Sequence, residues 1–222
     1  MKLHVEANKV TVATKSKYPF LEEDLDRKCK AAGFTVPKRG GTVLIAARDG
    51  SQSLGQVWSA DDKTITYDPN RGFLSLESRD LSETAQGFAT LIDIARELLS
   101  DTFEEEIRWG ELNFAARVSS ETLPLEVLSG SSTKVHEELS KLFEEPLSPF
   151  SIAAYSSPGE DLKRPLNEVP NWFDMRIEPL IANPRYYFVR IVYRKQDLAR
   201  ISGFLQGLED RLGNVIQLLE ES

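Results

Sequence analysis

"GFLSLESRDLSETAQGFATLIDIARELL", from Gly72 to Leu99, changes its period part-way along. It opens as a strand-like run that sets Phe73, Ser75 and Glu77 on one face. After the polar stretch around Asp80, apolar residues recur as Phe88, Leu91, Ile92, Ala95 and Leu98, the spacing of an amphipathic helix. A second stretch repeats the change: "YFVRIVYRKQDLARISGFLQGLEDRLGNVIQLL", from Tyr187 to Leu219. Its helical stripe reads Leu205, Leu208, Leu212, Val215, Ile216 and Leu219. Phe73 aligns with Phe188, Arg79 with Arg194, and Gly87-Phe88 with Gly203-Phe204.

The match extends upstream. An isolated tryptophan precedes each stretch, Trp58 and Trp172. Before those stand "GTVLIAARDGS" (Gly41–Ser51) and "PFSIAAYSSPG" (Pro149–Gly159), each passing through Ile-Ala-Ala into turn residues. The separation grows from 107 at Ile-Ala-Ala to 116 at Gly-Phe, as small loop insertions produce in a duplicated unit. Each half begins alike. "NKVTVATKS" alternates Val10 and Val12; "ELNFAARVSS" alternates Leu112, Phe114, Ala116 and Val118. A helix pattern follows each. The first carries Leu21, Leu25 and Cys29, with acids in its first turn and Gly33 as a stop. The second carries Val135, Leu139 and Leu142, with Ser132 or Thr133 as cap and Pro146 as a stop.

The chain therefore reads as α+β: two pseudo-symmetric repeats of strand, helix, three or four strands and helix. They span residues 1–102 and 111–222, with 103–110 as a hinge. A strand face and a helix stripe each need one apolar partner, so the expected assembly is one curved antiparallel sheet with helices on one face. This order of elements resembles the TATA-box-binding-protein fold. In that family the open sheet face grips the DNA minor groove with phenylalanine wedges and basic neighbours. The corresponding residues here are Tyr186, Phe188, Arg190 and Arg194 in the second half, and Phe73, Ser75, Glu77 and Arg79 in the first. Glu77 opposes a phosphate-rich ligand, so the resemblance implies architecture and leaves function open. The order of one unit also resembles half of a helix-grip fold, which has one long helix where this chain has two.

Composition narrows the function classes. The 222 residues carry a net charge of −8, which disfavours non-specific attraction to phosphate backbones. Apolar runs such as "VLIAA" are too short to span a bilayer. The single cysteine, Cys29, and a start without an apolar leader lead us to expect a reducing cytoplasm.

Motifs for catalysis are scarce. His4 and His136 read as surface residues, and Cys29 lies on a helix stripe as a packed thiol. "GFTVPKRGG" (Gly33–Gly41) precedes a strand, so it does not aim a helix N-terminus at a phosphate. The acids at Glu22–Asp26 and Glu104–Glu106 are consecutive and fan apart, unlike converging metal ligands. No catalytic residue, cofactor or metal site is expected.

The informative strand is "RYYFVRIVYRK", from Arg185. Alternation sends Tyr187, Val189, Ile191 and Tyr193 under the helices and Tyr186, Phe188, Arg190 and Arg194 to the other face. The same rule adds Arg117, Trp172 and Arg176 to that uncovered face, where Asp174 and Glu178 offer cross-strand pairs. Arginine with aromatics is the composition of protein hot spots and of single-strand nucleic-acid platforms. The expectation is a non-catalytic binding or adaptor protein that uses the open face or the sheet edges for a protein partner or its own dimer. Nucleic-acid recognition through the saddle is the alternative, and an enzyme with a composite site is the third.

Overall fold

The computed structural model describes residues 2–38, 40–46, 52–130, 133–156, 165 and 168–221. Ala47–Ser51, Ser132 and most of the polar insertion after Ser156 lie outside them. Nine strands form one antiparallel sheet. They are β1 (Leu3–Thr14), β2 (Thr42–Ala46), β3 (Gln52–Ala60), β4 (Lys63–Asp68), β5 (Phe73–Glu77), β6 (Ile107–Ser119), β7 (Ile152–Ser156), β8 (Trp172–Pro179) and β9 (Tyr186–Lys195). The order across the sheet is β2-β3-β4-β5-β1-β6-β9-β8-β7. Strands β1 and β6 thus pair at the centre, with β2 to β5 on one side and β7 to β9 on the other. No described helix is long and apolar enough to cross a membrane.

The helices are α1 (Glu22–Ala31), α2 (Leu81–Leu99), α3 (Phe103–Glu106), α4 (Pro124–Ser129), α5 (Lys134–Phe143), α6 (Leu198–Gln206) and α7 (Leu208–Glu221). Helices α2 and α6 start the same way. Asp80 accepts from the backbone N–H of Ser82 (2.7 Å) and Glu83 (3.0 Å), and Asp197 accepts from Ala199 N–H (3.0 Å). Each carboxylate satisfies donors that a helix start leaves orphaned, on the favoured end of the dipole.

One core lies between the sheet and the helices. Val10 and Val12 from β1, Leu112 and Phe114 from β6, Leu74 and Leu76 from β5, and Tyr187, Val189 and Ile191 from β9 are all buried in it. Phe88, Leu91 and Ala95 of α2 and Ile201 and Leu205 of α6 close over them. The two helices converge on Gly110 of β6. A Cβ there would stand 2.7 Å from Leu198, 3.1 Å from Phe88 and 3.3 Å from Ile201. Absence of a side chain at the middle of the sheet is what lets both helices reach it.

Several expectations change. The final helix breaks at Gly207 into α6 and α7, so its apolar residues form two stripes, Ile201 and Leu205, then Leu208, Leu212 and Ile216. Segment 103–110 is α3 followed by the first residues of β6, with Phe103, Ile107 and Trp109 buried. Ile45 lies on β2, four strands out from β1, while Ile152 lies on β7, three out from β6, so the Ile-Ala-Ala motifs occupy different places. Buried Thr84, Phe88, Leu91 and Ala95 of α2 and buried Ile201, Leu205, Leu208 and Leu212 of α6 and α7 lie 117 residues apart, as do the caps Asp80 and Asp197, whereas Gly87-Phe88 and Gly203-Phe204 lie 116 apart. Finally, Val135 and Leu142 of α5 do not pack under the sheet. Helix α4 takes that place: its Leu128 is fully buried and α4 contacts β8 and α7.

Candidate binding face

The face opposite the helices is built row by row from strand register. Arg117 of β6 pairs with Phe188 of β9, which pairs with Glu178 of β8. Two residues along, Ala115 pairs with Arg190, and Arg190 with Arg176. The next row is Asn113, Val192, Asp174 and Tyr155, and the last is Glu111, Arg194 and Trp172. The period of two fixes this: buried Phe114 and Ile191 and partly buried Met175 point to the helices, so their neighbours point away. Arg117, Trp172, Arg176, Tyr186, Phe188, Arg190 and Arg194 share the face opposite the helices.

Arg194 differs from the rest of the expected set. Its side chain is only 11% exposed, and it bonds Glu111, itself 13% exposed, through Nε (2.6 Å) and Nη2 (2.5 Å). Its Nη1 donates to the Val169 carbonyl (2.9 Å), and its guanidinium lies 4.4 Å from the Trp109 ring, which contacts Phe73. Arg194 is an internal strut that ties residue 169 to the sheet, which corrects its expected place in an exposed hot spot. The pair is held because the ion, its counter-ion and the remaining donors are satisfied together.

The other arginines reach solvent. Arg117 pairs with Glu6, and Arg176 with Glu178 at 2.9 Å. Arg190 is exposed and has no carboxylate partner among the described residues. Its direct cross-strand neighbour is another arginine, Arg176. Like charges set opposite each other weaken a sheet, and an incoming anion relieves that repulsion.

Aromatic surface borders the cations on two sides. Tyr155 stacks on Trp172 (5.5 Å between centroids, 15° between planes), and Tyr155 is 63% exposed. His4 and Tyr186 are in ring contact at 5.9 Å. Tyr155 is absent from the residues expected on this face, since "IAAYS" serves there as a repeat marker; its alternation with Ala153 is the signal that the sequence carries.

The first half offers nothing comparable. On the same side of β1 to β5 Thr11 bonds Ser75 (2.9 Å) and Ser53 donates to Asp68 (2.9 Å), all four buried. Phe73 is engaged with Trp109, and Glu77 is exposed. The exposed arginines and the Tyr155–Trp172 stack of this face therefore lie on β6 to β9.

Elsewhere, Cys29 is fully buried, and burial pushes its thiol up to about 12, so it is protonated at neutral pH. His136 belongs to the start of α5, where its Nδ1 accepts from the Thr133 backbone N–H (3.3 Å). Among the described residues no group of three His, Cys, Asp or Glu side chains is placed to hold a metal ion.

No family model matches this chain, and no curated protein matches it. Among solved structures it is similar to Methanococcus jannaschii TBP, at 9% identity and a TM-score of 0.32 over 100% of both chains. No residue role is carried from that protein to this one.

Proposed function

We propose that the chain is two fused strand-helix-strand-helix units, 1–102 and 111–222 joined through 103–110, acting as a non-catalytic binding or adaptor protein. The uncovered face of the second unit receives an acidic segment of a protein partner. The observation that carries this is Arg190, exposed, without a carboxylate among the described residues, and in register with Arg176. A carboxylate laid between them would supply the charge the sheet lacks, and the Tyr155–Trp172 stack would take an adjoining apolar side chain. Duplex DNA fits less well. Glu6, Glu111 and Glu178 neutralise three of the four arginines, and Glu77 faces outward on the first half. A single strand stacked on Tyr155 remains the second reading, because an exposed aromatic beside cations accepts bases as readily as side chains.

The test is fluorescence polarisation against a panel of short peptides rich in Asp and Glu that contain one aromatic residue. Salt-titrated DNA and RNA oligonucleotides run in parallel. Acidic peptides should bind, and Arg190→Glu or Tyr155→Ala should weaken them at least about tenfold. Peptide binding that survives Arg190→Glu removes the proposal. Tighter binding of oligonucleotides, lost in Arg190→Glu, transfers the face to nucleic acid.

A further inference from the structure

A cleft of about 1010 Å³ opens where β9 ends and α6 begins. Small-molecule sites occupy about 300–1,000 Å³. Arg96 from the last turn of α2, Phe103 and Glu104 of α3, Lys195 at the end of β9 and Arg200 in the first turn of α6 all line it. Lys195 lies two residues beyond Tyr193 and so shares the helix-side face of β9, with its Nζ 5.3 Å from the centre of that ring. Arg190 and Arg194 point to the opposite face. The cations of the cleft are poorly matched by acids. Lys195 has no carboxylate partner among the described residues; burial first, and then the charge of Arg200, hold its ammonium below the usual lysine range. Arg200 reaches Asp197 only at 3.5 Å, and Asp197 already accepts the Ala199 N–H (3.0 Å) at the helix start. Arg96 reaches Asp93 at 3.6 Å and lies 4.8 Å from the centre of the Phe103 ring. Both pairs join residues three apart, and every member is more than half exposed, so they hold the guanidiniums weakly. Glu104, exposed, is the other carboxylate lining the cleft.

We infer that this cleft binds a small-molecule phosphate monoester, with the phosphate on Lys195 and Arg200 and an apolar body against Leu198. Charge selects the anion: a dianion supplies the counter-charge that Lys195 lacks, and neither arginine leaves a strong bond to join it. A phosphate offers oxygens to an ammonium and to a planar guanidinium at once, which suits a lysine beside an arginine. The wall selects an ester over the bare ion. Leu198, half-buried, lines the cleft with Phe103 and Ile107, which are buried, so a ring or chain carried by the phosphate meets apolar surface. This cleft and the arginine face lie on opposite sides of the sheet, so the two proposals fail separately.

Isothermal titration calorimetry of the full chain with phenyl phosphate tests it. Kd should fall below about 1 mM and be at least about tenfold tighter than that of inorganic phosphate, and phenol should not bind. Lys195→Met keeps the apolar stem beside Tyr193 and removes the charge, so it should lose at least about tenfold in affinity with unchanged circular dichroism. Glu104→Gln, a change to an exposed side chain, should bind about twofold to threefold tighter because it removes a competing carboxylate. Arg190→Glu should bind as the wild type does. No binding of phenyl phosphate at about 10 mM, wild-type affinity in Lys195→Met, weaker binding in Glu104→Gln, or phenol bound as tightly as phenyl phosphate each overturns the inference. So does a phosphotyrosyl peptide that binds at least about tenfold tighter than phenyl phosphate, which would give the cleft to a modified protein.

Discussion

Two glycines at matching points in the sequence should respond oppositely to one methyl group. Gly87 and Gly203 each precede a phenylalanine, in α2 and α6. Replacing glycine by alanine inside a helix gains about 1 kcal/mol, through backbone entropy lost from the unfolded chain. At Gly203 a Cβ would find nothing within 4 Å, so Gly203→Ala should keep that gain. At Gly87 a Cβ would stand 2.6 and 2.7 Å from the two δ-methyls of Leu76 and 3.2 Å from its Cγ. Leu76 is fully buried in the core and has no room to withdraw. Overpacking of that kind costs about 1–3 kcal/mol, which cancels the helical gain and leaves Gly87→Ala the less stable variant by about 2 kcal/mol. For a chain of this length the two variants should differ in Tm by roughly 4–8 °C, with Gly203→Ala above the wild type. Thermal and urea unfolding followed by circular dichroism measure this, and the urea slopes should be equal. The double variant Gly87→Ala with Leu76→Val should recover part of the loss. If Gly87→Ala unfolds at or above the temperature of Gly203→Ala, the close approach of α2 to β5 is wrong, and with it the buried register of the helix.

Glu111→Gln leaves the Arg194 guanidinium without its carboxylate in a buried site and should cost about 3 kcal/mol, read as a fall in urea midpoint at unchanged slope. Arg190→Glu should act the other way, stabilising by about 0.5 kcal/mol because it exchanges an Arg–Arg cross-strand neighbour for an Arg–Glu pair; a destabilised variant contradicts the open-face geometry. Asp26 accepts from Lys30 (2.6 Å) and from Trp58 Nε1 (2.9 Å), and these two bonds hold its carboxyl below the usual range. A depressed native value gives stability that is present above the unfolded value of 3.8 and lost as pH falls through the native one. The Tm difference between wild type and Asp26→Asn should therefore be largest near neutrality and shrink toward pH 3. Cys29 should resist an aromatic disulfide reagent at pH 8 in the native protein and react at once in denaturant; immediate native labelling contradicts its burial.

Much of the architecture was legible because it rests on local periods. Alternation on β9 separated Tyr187, Val189 and Ile191 from Tyr186, Phe188 and Arg190, and the structure places the first set in the core and the second outside it. Side-chain direction along a strand depends on the backbone alone, so the sequence carries it directly. Register between halves was harder. Gly-Phe recurs at a separation of 116, yet the Asp caps and buried stripes of α2 and α6 lie 117 apart. Only contact with the sheet decides which turn of a helix faces inward.

The same division applies to the surfaces. Sequence alone determined an α+β chain, the arginine-rich strand face and a packed thiol at Cys29, because each follows from spacing or composition within one element. Tertiary structure decided that Arg194 is a strut, that Arg190 stands opposite Arg176 without a counter-ion among the described residues, and that α5 keeps its apolar stripe in solvent. These depend on which strands lie side by side and on α4 occupying the place over β8 that α5 would otherwise fill. Charge pairing and burial belong to pairs of elements far apart in the chain, and no single stretch of sequence contains both members.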